Sequence, residues 1–247
     1  IERIGTPLKD WDIQINYGIK TGFNEAFIID GKKRQELIEQ DPKSAEIIRP
    51  ILRGRDIKRY SYEFADLYLI TTFPSLKIDI EQYPAVKQHL LSFGYDRLKQ
   101  TGEKGSRKKT NNKWFETQDS INYWEDFYKQ KIMYSEIVRE PQFFLDNAGE
   151  FFPEATSFIL TGNHLEYLCN MFNSKTIAYA FKTFYAGGGL GENGYRYKKV
   201  FFEKLPIPKF ENSDIQKQLE ESTDDIESLI FKLYSFTSEE IKEIIRY

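Results

Sequence analysis

Lys131-Ile132-Met133-Tyr134-Ser135-Glu136-Ile137 is the run on which the fold turns. It carries no glycine or proline and mixes aliphatic and aromatic residues, which predicts an extended strand. Two similar runs follow, 142–145 (Gln-Phe-Phe-Leu) and 156–160 (Thr-Ser-Phe-Ile-Leu). Asn147-Ala148-Gly149 supplies turn residues between them, and Pro153 suits a strand edge. Successive strands with short connections predict a sheet that is largely antiparallel.

Working outward toward the start of the chain, residues 11–15 and 26–29 read as a strand pair. Asn16 to Asn24 would be the exposed turn between them, with Gly18 and Gly22 where a tight turn needs them. Gly31 opens a helical pattern carrying Leu37 and Ile38, which Asp41-Pro42 ends. Residues 67–72 predict a buried strand, and 80–93 a helix with Val86, Leu90 and Leu91 inward and His89 in a structural role. Toward the other end the period changes. Leu165, Leu168, Cys169 and Phe172, then Ile177, Ala178, Phe181, Phe184 and Tyr185, predict two packed helices broken near Asn173-Ser174. At that spacing Cys169 is a small core residue, not a nucleophile. Residues 195–202 read as a strand, and Leu205-Pro206-Ile207-Pro208 stops it as a domain exit. In the tail, Ile226, Leu229, Ile230 and Leu233 repeat at i, i+3, i+4, i+7, and Thr237 and Glu240 have capping-box spacing. That stripe must be covered by the domain or by a partner. The expected architecture is α/β (mixed α+β): one domain over 1–210 with a mixed, largely antiparallel sheet flanked by helices, plus C-terminal amphipathic helices over 211–247.

A chain of 247 residues can bury a full core. It has no apolar run of the ~20 residues that cross a bilayer and no amino-terminal signal pattern, so no membrane partner is expected. A single cysteine excludes an internal disulfide, and with only His89 and His164 beside it a Cys/His zinc site is implausible. A cytoplasmic location follows. The first residue, Ile1, is not Met, so the chain is expected to be part of a longer polypeptide.

Net charge is −3, but its distribution is uneven. Residues 211–247 hold 10 acids and 4 bases, whereas the remaining 210 residues hold 31 bases and 28 acids. Positive charge is bunched further still. Arg97, Lys99, Lys104, Arg107, Lys108, Lys109 and Lys113 face one acid, Glu103, among Gly102, Gly105, Asn111 and Asn112. Trp114, Phe115, Tyr123, Trp124, Phe127 and Tyr128 follow. Cations that displace counterions from phosphate, with amides and rings that meet bases, make a nucleic-acid groove. The alternative is a solvated loop followed by core aromatics. Residues 49–59 hold five bases against Asp56, so Arg53 and Arg55 either meet an anion or pair with local carboxylates. Lys20-Thr21 in the first turn and Tyr195-Arg196-Tyr197-Lys198 share the same character. The candidate DNA-binding set is therefore Lys20, Thr21, Arg53, Arg55, Lys104, Arg107, Lys108, Lys109, Asn111, Asn112, Lys113, Tyr195, Arg196, Tyr197 and Lys198.

Catalytic signatures are weak. Gly189-Leu190-Gly191-Glu192-Asn193-Gly194 matches the dinucleotide fingerprint in letters, but a helix precedes it and a strand follows, the reverse of the order that presents a pyrophosphate to a helix N-terminus. A hinged loop that lets backbone approach a ligand is the better functional reading, with a plain connector as the alternative. No phosphate loop or nucleophile elbow is present. An alternative of a different class is a magnesium-dependent nuclease built on Asp146 and Glu136. A third reading is a protein-interaction module that docks a partner through the acidic tail, 213–247.

Several motifs together resemble a known family. They are Gly18-Ile19-Lys20-Thr21-Gly22-Phe23-Asn24-Glu25-Ala26-Phe27, Ile51-Leu52-Arg53-Gly54-Arg55-Asp56-Ile57, Trp114-Phe115-Glu116, Lys131-Ile132-Met133-Tyr134, Phe172-Asn173-Ser174-Lys175 and Leu205-Pro206-Ile207-Pro208. In this order, over about Ile13 to Phe210, they resemble the TaqI-like carboxy-terminal specificity domain. That is the target-recognition part of type II restriction–modification enzymes and adenine-specific DNA methyltransferases. The resemblance implies a recognition fold that clamps double-stranded DNA against a methyltransferase or nuclease domain of the same polypeptide. S-adenosylmethionine and Mg²⁺ would belong to those catalytic domains. This chain lacks the Asn/Asp-Pro-Pro-Tyr motif and the cofactor strand–loop–helix of such domains, so no cofactor, metal or catalytic residue is expected in it.

Overall fold

Eight strands build two four-stranded sheets. The computed structural model describes residues 1–187 and 194–246. In chain order the strands are β1 (Ile13–Tyr17), β2 (Ile28–Asp30), β3 (Ile48–Leu52), β4 (Leu67–Ile70), β5 (Lys131–Ser135), β6 (Phe143–Asp146), β7 (Phe152–Pro153) and β8 (Ser157–Gly162). The first sheet runs β6-β5-β8-β1, antiparallel throughout. The second runs β7-β3-β4-β2 and is mixed, because β7 pairs parallel to β3.

The three runs around 131–160 form the centre of the first sheet, and side-chain alternation explains why. Ile132 and Tyr134 on β5, Phe143 on β6 and Phe158 and Leu160 on β8 enter one hydrophobic core; Met133 and Ile159 point the opposite way into a second. A strand buried on both faces must be apolar through its middle, as these are, with the buried polar residues Lys131, Ser135, Asp146 and Ser157 at strand ends. The first sheet is thus the wall between two cores.

The first core is closed by helices α3 (Leu165–Phe172) and α4 (Lys175–Ala180), separated at Asn173-Ser174, where the Ser174 hydroxyl accepts the Ile177 amide. Three tail helices follow: α5 (Asp214–Glu221), α6 (Ile226–Tyr234) and α7 (Ser238–Arg246). Leu219, Ile226, Leu229, Ile230 and Tyr234 join this same core, so the domain itself covers the stripe of α5 and α6, and no partner is needed for it. Thr237 and Glu240 form the reciprocal cap read from their spacing. The second core lies between the two sheets and helices α1 (Gly31–Gln40) and α2 (Pro84–Leu91).

Three local expectations are corrected. The segments 11–15 and 26–29 do not pair with each other: β1 joins β8 and β2 joins β4, because Ile15 belongs to the first core and Phe27 and Ile29 to the second. Residues 195–202 are not one strand. Only Tyr195–Arg196 pairs, with Ile137–Val138, after which Lys199–Phe202 coils to drive Phe202 against Tyr134 and Phe143. Leu91 faces solvent, not the core.

Candidate nucleic-acid interface

The turn after β1 is built on Gly18. Its amide donates to the Ser157 carbonyl, and a Cβ there would sit 2.0 Å from the Glu154 oxygen, so only glycine lets the strands approach. Ile19 then bridges to Glu154. Thr21 is buried: its hydroxyl donates to Asn24 Oδ1 at 2.6 Å and accepts from the Phe23 amide at 3.0 Å. Of the Lys20-Thr21 pair, only Lys20 faces solvent.

Gly54 sits against the same place from the other side. Its amide donates to Thr156 Oγ1 at 2.9 Å, and a Cβ would meet Ser135 Oγ at 2.5 Å. Arg53 does not reach outward. Its fork closes on Asp56, with Nε to Oδ2 at 2.9 Å and Nη2 to Oδ1 at 2.7 Å. Burial alone would raise the Asp56 pKa, but the Arg53 hydrogen bonds outweigh it and hold the carboxyl below its usual range. Arg55 is exposed and makes no side-chain hydrogen bond among the described residues. Residues 24–25, 53–55, 135–137 and 154–156 enclose a cleft of about 640 Å³. Glu25, Glu136 and Glu154 share it with the two arginines, so it is a mixed polar cleft rather than a purely cationic one.

The cationic loop divides by orientation. Arg107 is only 4% exposed and threads inward. Its Nε donates to Leu98 O at 2.8 Å, Nη1 to Thr21 O and Glu116 O at 3.0 and 2.8 Å, and Nη2 to Trp114 O at 2.7 Å. Burial lowers its pKa to about 10, which leaves it charged at neutral pH. Asn112 is likewise committed, its Nδ2 donating to the carbonyls of Thr117 and Gln118. Lys104, Lys108, Lys109, Asn111 and Lys113 remain on the outside. The aromatic half of this stretch is largely core. Phe115 and Phe127 are buried, Phe127 packing on Phe73 and Phe152. Both readings of the stretch therefore hold, for different residues.

Tyr195 and Tyr197 are core residues as well, each 1% exposed and packed against Phe181. A period-2 segment lying on a sheet end buries its rings and presents what lies between them. That leaves Arg196, half-buried with its Nε unpartnered among the described residues, and exposed Lys198. The Tyr197 amide donates to the Glu136 carbonyl at 2.8 Å, which fixes this segment against the cleft wall.

The four clusters are thus connected. Arg107 ties the loop to the Lys20 turn, Thr156 and Ser135 seat the Arg55 turn, and Glu136 holds the Arg196 segment. Thr21, Arg53, Arg107, Asn112, Tyr195 and Tyr197 are buried or internally saturated, whereas Lys20, Arg55, Lys104, Lys108, Lys109, Asn111, Lys113 and Lys198 are exposed and Arg196 is half-buried. Sequence reading missed Asn24, Glu25, Glu154 and Thr156, whose place in the cleft follows only from strand register.

The nuclease reading fails on geometry. Asp146 accepts from Lys131 Nζ at 2.5 Å and from the amides of Glu150 and Phe151, and Lys131 is fully buried. Lys131, opposite Asp146, opens β5, while Glu136 lies just past its other end, roughly 16 Å away. No group of three metal-ligating residues occurs among the described residues. Burial pushes the Cys169 thiol up to about 12, so it is no nucleophile. Most of the glycine fingerprint, residues 189–193, lies outside the described residues. No described helix is long and apolar enough to cross a membrane.

A family model described as TaqI-like C-terminal specificity domain matches residues 49–207. Among solved structures, the type IIG restriction endonuclease BpuSI is similar at TM-score 0.60 and 12% identity, over 99% of this chain and 30% of that one. The type IIL restriction-modification enzyme MmeI, solved in complex with DNA, is similar at TM-score 0.57 and 13% identity, over 97% of this chain and 35% of that one. The chain thus spans about a third of the length of these enzymes and shares their fold. No curated protein matches.

Proposed function

The chain belongs to the TaqI-like C-terminal specificity domain family, a family whose role is DNA recognition, and from that premise we propose that it reads duplex DNA along the cleft and the cationic loop beside it. The two parts divide the task. Exposed Lys104, Lys108, Lys109 and Lys113, with Lys20 and Lys198, hold backbone phosphates and set the register. Within the cleft, Arg55, Asn24 and the Glu136 carboxylate have the chemistry that separates bases: a guanidinium for guanine, an amide for adenine, and an acceptor for the amino group of cytosine. Arg53 and Arg107 shape these surfaces without touching the ligand. The observation that carries the reading is a polar cleft gathered from four sequence-distant segments, 24–25, 53–55, 135–137 and 154–156, with the cationic loop tied through Arg107 to the Lys20 turn that leads into it.

By itself the chain is not a catalyst. It works in the cytoplasm as the recognition part of a restriction–modification enzyme, positioning DNA for adenine methylation or cleavage. The methyltransferase or nuclease domain would belong to the same polypeptide, and S-adenosylmethionine and Mg²⁺ would be bound there. The test is binding of the chain to a panel of duplexes over a range of salt. Arg55→Ala costs about 1–3 kcal/mol on the preferred site and relaxes preference at one position. Joint replacement of Lys104, Lys108 and Lys109 by Ala weakens every duplex alike and shallows the log–log salt slope by about 2.7. Equal weakening of all sequences by Arg55→Ala would remove it from base reading, and an unchanged slope in the triple variant would remove the loop from the interface.

A further inference from the structure

A second cleft, of about 290 Å³, shares a wall with the first. The wall is the ribbon of Ile137–Val138 and Tyr195–Arg196: Ile137 lines the first cleft, and Tyr195, with Arg139 just beyond, lines the second. Arg59, Arg139, Lys175 and Lys182 converge there against one lining acid among the described residues, Glu140. They come from four places in the chain, and all four are exposed. None of Arg59, Arg139 and Lys175 forms an ion pair among the described residues. Solvent screens their mutual repulsion, but their fields add where the walls meet.

We propose that this cleft seats a stretch of the sugar–phosphate backbone of the bound duplex, as an anchor beyond the reading cleft; the proposal rests on the DNA-recognition reading above. A small anion held tightly needs buried donors aimed at one point, whereas these cations stand on an open rim, which suits a polyanion. The neutral amide in the wall, Asn173, is already spent: its Nδ2 donates to the Phe143 carbonyl and its Oδ1 accepts the Phe143 amide. With its amide consumed and one carboxylate present, the cleft has charge for phosphate and little with which to distinguish bases. Position supports the same ligand. Ile137 and Arg139 are two residues apart, roughly 7 Å along a strand. A duplex advances about 3.4 Å per base pair, so a backbone in the first cleft reaches the second within a few base pairs.

The experiment is titration of the chain with fluorescently labelled short duplexes of unrelated sequence at several salt concentrations. Arg139→Ala with Lys175→Ala shallows the log–log slope by about 1.8 and lowers affinity by a similar factor on every duplex. Arg59→Gln, on another wall, shallows it by about 0.9. Arg139→Lys with Lys175→Arg keeps the slope, since a phosphate seat needs charge more than fork geometry. Lys217→Ala, on the exposed face of α5, changes nothing. Wild-type slope in both neutralised variants, while the unaltered chain binds DNA, overturns the anchor and leaves the recognition reading standing. Loss confined to one sequence also overturns it, by making the cleft a base reader. Failure of the unaltered chain to bind any duplex removes both.

Discussion

Arg107→Ala separates a structural role from a ligand-binding one. The guanidinium makes four hydrogen bonds to main-chain carbonyls and lies 5.0 Å from the Phe27 ring. Hydrogen bonds to a charged group contribute about 1.5–3 kcal/mol each, but four on one side chain are not additive, and some freed carbonyls regain water. A net loss of about 3–5 kcal/mol follows. In a chain of this size that lowers Tm by on the order of 10 °C. Urea unfolding with circular dichroism measures it, and Arg107→Lys recovers a minority of the loss, since one ammonium cannot span four acceptors. Titrating the folded variant with DNA at several salt concentrations completes the test. The salt slope should equal that of the unaltered chain, because Arg107 meets no phosphate. A variant of full stability whose slope is shallower by about 0.9 would refute this reasoning and return Arg107 to the interface.

Other outcomes follow from the same geometry. Asp146→Ala leaves the buried Lys131 ammonium without its partner and destabilises the chain by about 3–5 kcal/mol, while Lys131→Met with Asp146→Leu recovers most of that; equal stability of the single and double variants in urea would contradict it. His89 is lowered in pKa by burial, which outweighs the hydrogen bond its Nε2 makes with the Ala26 carbonyl. Its unfolded form therefore takes up a proton more readily. The contribution to stability is complete above the ordinary value of 6.5 and declines as pH falls below it. His89→Gln removes that part of the acid sensitivity, as urea midpoints on either side of 6.5 will report. Removal of residues 213–247 exposes Leu168, Phe172 and their neighbours in the first core, so the shortened chain should aggregate or lose cooperative unfolding rather than persist as a stable domain.

Much of the fold was legible because it rests on periodicity. Ile132, Met133, Tyr134, Phe158, Ile159 and Leu160 announce strands whichever face they serve, and the break at Asn173-Ser174 marks a helix end through a local cap. Pairing was not legible, since β1 and β2 look like a hairpin until two separate cores claim their side chains. The site was legible in its segments and not in its residues. Arg53 and Arg55 are indistinguishable by composition, yet one closes on Asp56 and the other faces solvent. Arg107 sits among lysines that stay in water, and only the carbonyls of Thr21, Leu98, Trp114 and Glu116 turn it inward.

Side-chain period, glycine placement and the bunching of cations are short-range properties, and the sequence alone determined the element types, the turns and the polar segments from them. Which sheet a strand joins, which arginine is spent inside, and that Glu154 and Thr156 face Arg55 across a cleft depend on contacts between residues about 100 to 150 positions apart. Those contacts form only when the two cores close on opposite faces of one sheet. The tertiary structure alone therefore decided which cations are left exposed to solvent.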